Sequence, residues 1–286
     1  MHKIGFLGLG VMGCHMALNV SSKQDVPVIA YDTDPARLDL FVAGGGSTAS
    51  GSDEIYSSCD LILQMLPTHE TIAGSVREAI KRGRPGNIIV DLSSASPDLI
   101  TKLADEAKEA GLFLLDSPVS GGNPMAEAGT LSIMTGGDRA VYEKVKQVLS
   151  CMGKPVYTGP SGSGDTVKLI NNMIGGAILA AMAEAYSLAE KAGLDLRTVF
   201  EATRGGFAGG PLYENKVPKI IGKDYEPGAR IAVHYKDIVN AREYAAGIGA
   251  KIPLTDEVYE VMKWMIDNGY EDLDQAAMIR YYEQNC

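Results

Sequence analysis

Lys3-Ile4-Gly5-Phe6-Leu7-Gly8-Leu9-Gly10-Val11-Met12-Gly13 runs from an apolar, strand-like segment directly into glycines at the G-x-G-x-x-G spacing. A strand that ends in such a turn and continues as a helix is the fingerprint of a dinucleotide-binding unit. Gly8 allows the tight strand-to-helix turn, Gly10 lets the backbone approach a pyrophosphate, and Gly13 lets the helix pack against the strand. The helix start then offers free backbone N–H groups and the positive end of its dipole to the phosphates. Gly8, Leu9, Gly10, Val11, Met12 and Gly13 are thus the candidate cofactor contacts of this turn. The next apolar run, Val26-Pro27-Val28-Ile29-Ala30-Tyr31, ends at Asp32, nineteen residues after Gly13. A carboxylate there accepts the ribose hydroxyls of an adenosine and repels a 2′-phosphate, so NAD(H) is the preferred cofactor and NADP(H) the possible one. Arg37 is the nearest basic residue able to reverse that preference.

Up to about residue 160, short β-rich runs alternate with helical patterns, which predicts a doubly wound parallel sheet with helices on both faces. Asp60-Leu61-Ile62-Leu63-Gln64-Met65-Leu66 and Asn87-Ile88-Ile89-Val90-Asp91-Leu92 are near-continuous apolar runs, as strands covered on both faces must be. Helices are predicted over 70–81, from Pro97 behind an N-cap at Ser96 to residue 110, and from Asp138 to near Gly153, with strands at 113–116 and 130–134. After Gly159-Pro160-Ser161-Gly162-Ser163-Gly164 the strand pattern stops. The expected division is a sheet domain at 1–161 and an all-helical domain at 162–286. Its helices are predicted near 165–192, 196–203, 212–221, 231–246, 254–268 and 272–285. The first of them is apolar nearly all round, which implies burial in a domain core or a subunit interface. A homodimer or homotetramer is the expected assembly.

The net charge of −10 over 286 residues, with no basic stripe, speaks against a general nucleic-acid binder. The longest apolar stretch, 173–183, is short for a bilayer span, so no membrane partner is expected. Met1-His2-Lys3 lacks the features of a signal peptide, and the cytoplasm is the expected location. Cys14, Cys59, Cys151 and Cys286 stand far apart, without zinc-ligand or disulfide-framework spacing, so free thiols and no metal are expected.

Three constellations could carry chemistry. Lys168 and Asn172, four residues apart, project from one face of the first long helix. A lysine on so apolar a helix either snorkels to water or has its proton affinity lowered by burial until it serves as acid and base. Asp116-Ser117-Pro118-Val119-Ser120-Gly121-Gly122 falls at the carboxyl edge of the sheet, where doubly wound folds bind ligands. Ser120 with Gly121 and Gly122 is either a carboxylate cradle or a plain turn. Lys236-Asp237, with Asn240 following, reads on its own as a solvated ion pair. His2, His15, His69 and His234 carry no usable signal, His15 reading as a helix-surface residue and His69 as a loop residue.

Taken together, these segments resemble the β-hydroxyacid dehydrogenases, a family that includes 3-hydroxyisobutyrate dehydrogenase and tartronate semialdehyde (2-hydroxy-3-oxopropionate) reductase. The resemblance runs collinearly through Gly8-Leu9-Gly10-Val11-Met12-Gly13, Met65-Leu66-Pro67, Asp91-Leu92-Ser93-Ser94, Asp116 to Gly122, Gly162-Ser163-Gly164 through Lys168 to Asn172, and Lys236-Asp237. It implies a Rossmann domain followed by an all-helical one, and an oxidoreductase acting on a small carboxylate substrate. By the same resemblance Lys168 is the catalytic acid/base, and Ser120, Gly121, Gly122 and Asn172 hold the substrate. Met65, Leu66, Pro67 and Ser94 contact the cofactor, with Lys236 near both nicotinamide and substrate. Arg204-Gly205-Gly206-Phe207-Ala208-Gly209-Gly210 and Tyr225-Glu226-Pro227-Gly228-Ala229-Arg230-Ile231 look most like the tartronate semialdehyde reductase branch. Cys14-His15 and Thr68-His69 depart from the family pattern without removing a catalytic group. Imine reductases, a related group, lack the lysine found at Lys168. Another short acid, such as 3-hydroxyisobutyrate or sulfolactaldehyde, and a cofactor-binding protein without turnover are the alternatives.

Overall fold

The computed structural model describes residues 2–286. The chain divides into two compact units, the first ending at Lys168 and the second running Leu169–Cys286. The first unit contains β1 (Ile4–Leu7), α1 (Gly13–Lys23), β2 (Val28–Tyr31), α2 (Pro35–Ala43), β3 (Ser47–Thr48), α3 (Ser52–Ser58), β4 (Leu61–Gln64) and α4 (His69–Arg82). There follow β5 (Ile88–Asp91), α5 (Pro97–Glu109), β6 (Phe113–Asp116), β7 (Val119–Ser120), α6 (Gly122–Ala128), β8 (Leu131–Gly136), α7 (Arg139–Leu149) and β9 (Gly153–Gly159). The strands form one sheet in the order β3-β2-β1-β4-β5-β6-β8-β7, with β9 paired to β8.

The apolar runs explain the layering. Every residue of β1, β4 and β5 is buried. Alternate side chains go to opposite faces: Phe6, Leu63, Val90 and Leu115 pack with Met16 and Val20 of α1, whereas Ile62, Ile89 and Leu114 pack with Ile72, Val76, Ile100 and Leu103. From β3 to β6 the pairing is parallel. The sheet departs from the expected all-parallel form at its far side, where β8 runs antiparallel to β6 and β7. The link from Asp116 to Leu131 spends its residues on β7, which pairs antiparallel with β8, and on the short α6, so β8 returns antiparallel beside β6.

Local signals set the helix starts. Ser96 accepts a hydrogen bond from the Leu99 amide ahead of Pro97, and Asp138 accepts one from the Val141 amide. Thr68 and Thr71 form a reciprocal cap that makes His69 the first residue of α4 rather than a loop residue. α7 stops at Leu149, short of the expected Gly153, because Gly153 opens β9, where any Cβ would lie 2.0 Å from the Leu131 carbonyl oxygen.

α8 (Ser163–Lys191) begins in the first unit and continues into the second, which also holds α9 (Leu196–Thr203), α10 (Pro211–Gly222), α11 (Ile231–Gly247), α12 (Pro253–Asp267) and α13 (Ile279–Asn285). By length and composition α8 is long and apolar enough to cross a membrane. Leu179, Met182, Ala183 and Tyr186 bury one side of it in the core of the helical unit. Burial is only partial, because Ile170, Ile174, Ile178 and Leu188 are exposed on the other side. The single helix expected over 272–285 is broken. Asp274 turns its carboxylate to the amides of Gly228, Ala229 and Ala276 and to the Lys216 ammonium, so a 3-10 turn over Gln275–Met278 precedes α13.

Candidate active site

In the first unit each fingerprint glycine has a separate steric reason. Gly8 has a φ of +92°, and a Cβ on it would lie 2.2 Å from the Met65 carbonyl oxygen. At Gly13 a Cβ would lie 2.0 Å from the Gly8 carbonyl oxygen, which fixes the close fit of helix to turn. Gly10 is different: the nearest atom to its Cβ direction is Arg37 Nη1 at 3.5 Å, so the backbone there is open to a ligand. No acidic residue occupies the first turn of α1 to cancel the positive helix end. Asp32, buried at the end of β2, accepts from the Leu9 amide at 2.7 Å and the Asp34 amide at 2.9 Å. Arg37 Nη1 stands 3.5 Å from its Oδ2. A bare cradle over Gly10 and a carboxylate at the ribose position fit an adenine dinucleotide.

The carboxyl edge of the sheet gathers the next residues. The Leu66 amide donates to Ser93 Oγ at 2.8 Å, tying the Met65-Leu66-Pro67 turn to the segment that carries Ser94. Ser93 Oγ in turn donates to Asp91 Oδ1 at 2.6 Å, and Gln64 Nε2 donates to the same oxygen at 3.2 Å. Burial pushes the Asp91 carboxyl up to about 6 against these bonds, and the Asp116 carboxylate, in register on the next strand, adds to the rise. Asp116 is raised too, by burial, although the Gly162 and Asp165 amides donate to its two oxygens at 3.0 and 3.1 Å. Ser120, half-buried on β7, pairs with Ser132. Gly121 and Gly122 follow with φ of +139° and +66° and are exposed. Lys168 is half-buried on α8, one helical turn after Asp165.

In the helical unit Asn172 Nδ2 donates to Asp237 Oδ2 at 2.5 Å, and Asn171 Nδ2 donates to Asn172 Oδ1 at 2.9 Å. Lys236 Nζ lies 3.4 Å from Asp237 Oδ1. Asp237 is 3% exposed whereas the Lys236 side chain is 40% exposed, so the pair is buried on its carboxylate side and open to water on its ammonium side. His234 is also buried: Nε2 meets the Asn172 carbonyl oxygen at 2.8 Å and Nδ1 meets Gln275 Nε2 at 3.0 Å. The sequence reading missed Asp91, Asp116, Asp165 and His234. Only Asp91 and Asp116 gave a signal, as acids closing apolar runs at the edge where ligands bind.

Residues 3–161 match the family model for the NAD-binding domain of 6-phosphogluconate dehydrogenase, and residues 162–282 match that for the NAD-binding domain of NADP-dependent 3-hydroxyisobutyrate dehydrogenase. A 2-(hydroxymethyl)glutarate dehydrogenase of Eubacterium barkeri is 36% identical over 99% of this chain and 95% of its own length. The 2-hydroxy-3-oxopropionate reductase of Escherichia coli strain K12 is 34% identical over 98% and 97% of the two chains. Among solved structures, a Mycobacterium tuberculosis 3-hydroxyisobutyrate dehydrogenase with L-serine superposes with a TM-score of 0.89 at 30% identity, covering 99% of both chains. With the nucleotide cradle, the sheet-edge carboxylates and these full-length likenesses in place, the chain belongs to the β-hydroxyacid dehydrogenase family of the 3-hydroxyisobutyrate dehydrogenase type, NAD(P)-dependent oxidoreductases acting on CH–OH.

Proposed function

We propose that this enzyme interconverts tartronate semialdehyde and glycerate, with Lys168 as general acid/base and NAD(H) as the preferred cofactor. Bound nicotinamide supplies or accepts the hydride at the carbon of the aldehyde or alcohol. The protein's part is to orient the substrate and move one proton. Ser120 and the amides of Gly121 and Gly122 are assigned to the substrate carboxylate, and Asn172 and Lys236 to its polar groups. Lys168 Nζ donates a proton to the aldehyde oxygen in reduction and takes it back from the hydroxyl in oxidation. The observation that carries the acid/base role is the position of Lys168, half-buried one turn beyond amides that are fastened to the sheet edge through Asp116. The segments at 204–210 and 225–231, together with the 34% identity to the Escherichia coli reductase, support the substrate.

A second reading, a dehydrogenase for another short acid such as 3-hydroxyisobutyrate, is favoured by the 0.89 TM-score to the Mycobacterium tuberculosis enzyme. Initial rates on a panel of short aldehyde-acids with NADH separate the two. Tartronate semialdehyde should lead in kcat/KM by about tenfold or more, the scale of about 1.4 kcal/mol that one or two pocket contacts supply. A lead for methylmalonate semialdehyde, the aldehyde-acid that reduction turns into 3-hydroxyisobutyrate, transfers the assignment. Lys168→Ala should lower kcat roughly a hundredfold or more with NADH binding retained. Lys168→Arg should not restore it, since arginine stays protonated. More than about a tenth of kcat left in Lys168→Ala removes the role.

For the assembly we propose a homodimer or homotetramer. Ile170, Ile174, Ile178 and Leu188 make an exposed apolar stripe on one side of α8, about 27 Å long at 1.5 Å per residue, suited to a second copy of the same helix face. Light scattering of the purified chain tests it, and a monomer at micromolar concentration rejects it.

A further inference from the structure

The first turn of α8 is held by carboxylates that neither the nucleotide cradle nor the proton transfer uses. Asp165, 1% exposed, accepts from the Ala95 amide through Oδ1 at 2.9 Å, while its own amide donates to Asp116 Oδ2 at 3.1 Å. Asp116 takes the Gly162 amide on its other oxygen at 3.0 Å. The glycines around this knot are sterically required. A Cβ on Gly136 would stand 2.7 Å from Asp116 Oδ1, one on Gly164 would stand 2.4 Å from the Met134 carbonyl oxygen, and Gly162 has a φ of +85°. A buried carboxylate is costly unless donors hold it, and the first turn of a helix is where its charge is best tolerated.

Two functional segments meet through these bonds. Ala95 follows Ser94, and the same loop is fastened through Ser93 to Asp91 and to the Leu66 amide. Asp165 precedes Lys168 by one helical turn, so the two side chains lie on the same face of α8. We infer that Asp165 is a positioning residue for the reaction, its carboxylate tying the loop 93–95 to the first turn of α8 and its amide tying that turn to Asp116, so that Ser94 and Lys168 are held in one frame. The inference rests on the acid/base reading of Lys168. It adds that the separation between cofactor loop and proton source is set by one buried side chain, and errors of about 1 Å there are worth up to about a hundredfold in rate.

The test compares Asp165→Ala and Asp165→Asn with the full-length wild type. Asn keeps an oxygen that accepts the Ala95 amide, whereas Ala removes it. Asp165→Ala should lower kcat by about tenfold or more, and the primary deuterium isotope effect on kcat from 4-deuterated NADH should rise as the chemical step becomes rate-limiting. Hydrogen exchange of the cofactor-free protein should quicken in both 93–95 and 162–168. Asp165→Asn should return kcat to within about threefold of wild type. Loss of folded protein alone would lower kcat with an unchanged isotope effect, and that result overturns the inference. So does unchanged exchange over 93–95, a kcat for Asp165→Ala within about threefold of wild type, or an Asn variant as slow as Ala. Lys168→Ala run in parallel separates the two claims. If Lys168→Ala stays active, the acid/base reading fails and the inference that rests on it falls too; if Lys168→Ala is inactive while Asp165→Ala stays within about threefold of wild type, the inference alone fails.

Discussion

Asp274 in the helical unit and Asp91 in the sheet unit are 0% and 1% exposed, yet their carboxyls move in opposite directions. At Asp274 burial raises the carboxyl, but the Lys216 ammonium and the amides of Ala276 and Ala229 outweigh it, and the group ends below the usual carboxylate range. At Asp91 burial wins over Ser93 and Gln64, both neutral donors, and the nearby Asp116 charge pushes the same way. Asp274 fastens the turn before α11 to the turn before α13, and a cation completes that clamp. The sheet-edge acids organise the loops at 93–95 and 162–165 through neutral donors alone. Carboxylates held high by burial beside a ligand-binding edge are a mark of function, whereas a matched buried pair is a mark of architecture.

Removing the cation should turn the first case into the second. In Lys216→Met the Asp274 charge stays buried with amide donors only, and breaking such a pair costs about 3–5 kcal/mol. The loss measured by urea unfolding should be larger at pH 7 than at pH 4.5, because the freed carboxyl takes up a proton in the native state and sheds part of the penalty. Per folded molecule, kcat should be unchanged. A loss that is equal at both pH values would show that Lys216 acts through packing rather than charge.

Asp32 is a third buried carboxylate, held by the Leu9 and Asp34 amides with Arg37 at its edge. NADH should exceed NADPH in kcat/KM by about tenfold or more, since a 2′-phosphate would face the Asp32 charge. Arg37→Ala should widen that ratio by removing the cation that stands beside Gly10 and Asp32. Asp32→Ala should narrow it. A wild-type preference for NADPH would reverse the assignment and make Arg37 the deciding group.

For Asp91 the sign follows from where its proton sits. The native carboxyl titrates near 6 and the ordinary value is 3.8, so the folded state holds the proton more tightly between those values. Acidification from pH 7 to pH 5 should therefore relieve about 1 kcal/mol of native-state cost at this residue. The quantity to measure is the difference in unfolding free energy between the two pH values, and Asp91→Asn should remove that increment. An identical pH dependence in the variant would mean that Asp91 is not the group titrating there.

These contrasts also show what the sequence could and could not disclose. Gly8, Gly13, Ser96 and Asp138 were legible because each answers a local constraint, a positive φ, a close backbone or a helix amide three residues on. The knot at the start of α8 was not, since Asp165 reaches Ala95 across 70 residues and Asp116 reaches Gly162 across 46. The same holds for Asn172 and Asp237, 65 apart, whose contact accompanies the burial of the carboxylate of an apparent surface pair. The final helix was misread for a related reason: Asp274 looks like an ordinary helical acid until its partners, 45 to 58 residues away, claim its side chain.

The smallest effect separates two adjacent glycines in α8. Gly175 and Gly176 each cost a helix about 1 kcal/mol relative to alanine, a cost that suggests the approach of another backbone or of the cofactor. Within the chain the neighbours are side chains, and they crowd one glycine more than the other. A Cβ on Gly176 would stand 3.0 Å from Val258 Cγ1, 3.4 Å from Ile238 Cδ1 and 3.5 Å from His234 Nε2, whereas at Gly175 the nearest atom is His234 Cε1 at 3.8 Å. Gly175→Ala should then stabilise the protein by up to about 1 kcal/mol. Gly176→Ala should forfeit that gain, because Val258 must give way and the new methyl comes into contact with His234, which bonds the Asn172 carbonyl. The readout beyond stability is KM for the substrate, which should rise in Gly176→Ala as Asn172 is displaced and stay constant in Gly175→Ala. Equal stabilisation by both alanines, with KM unmoved, would show that α8 has slack at this point and that His234 does not transmit packing to Asn172.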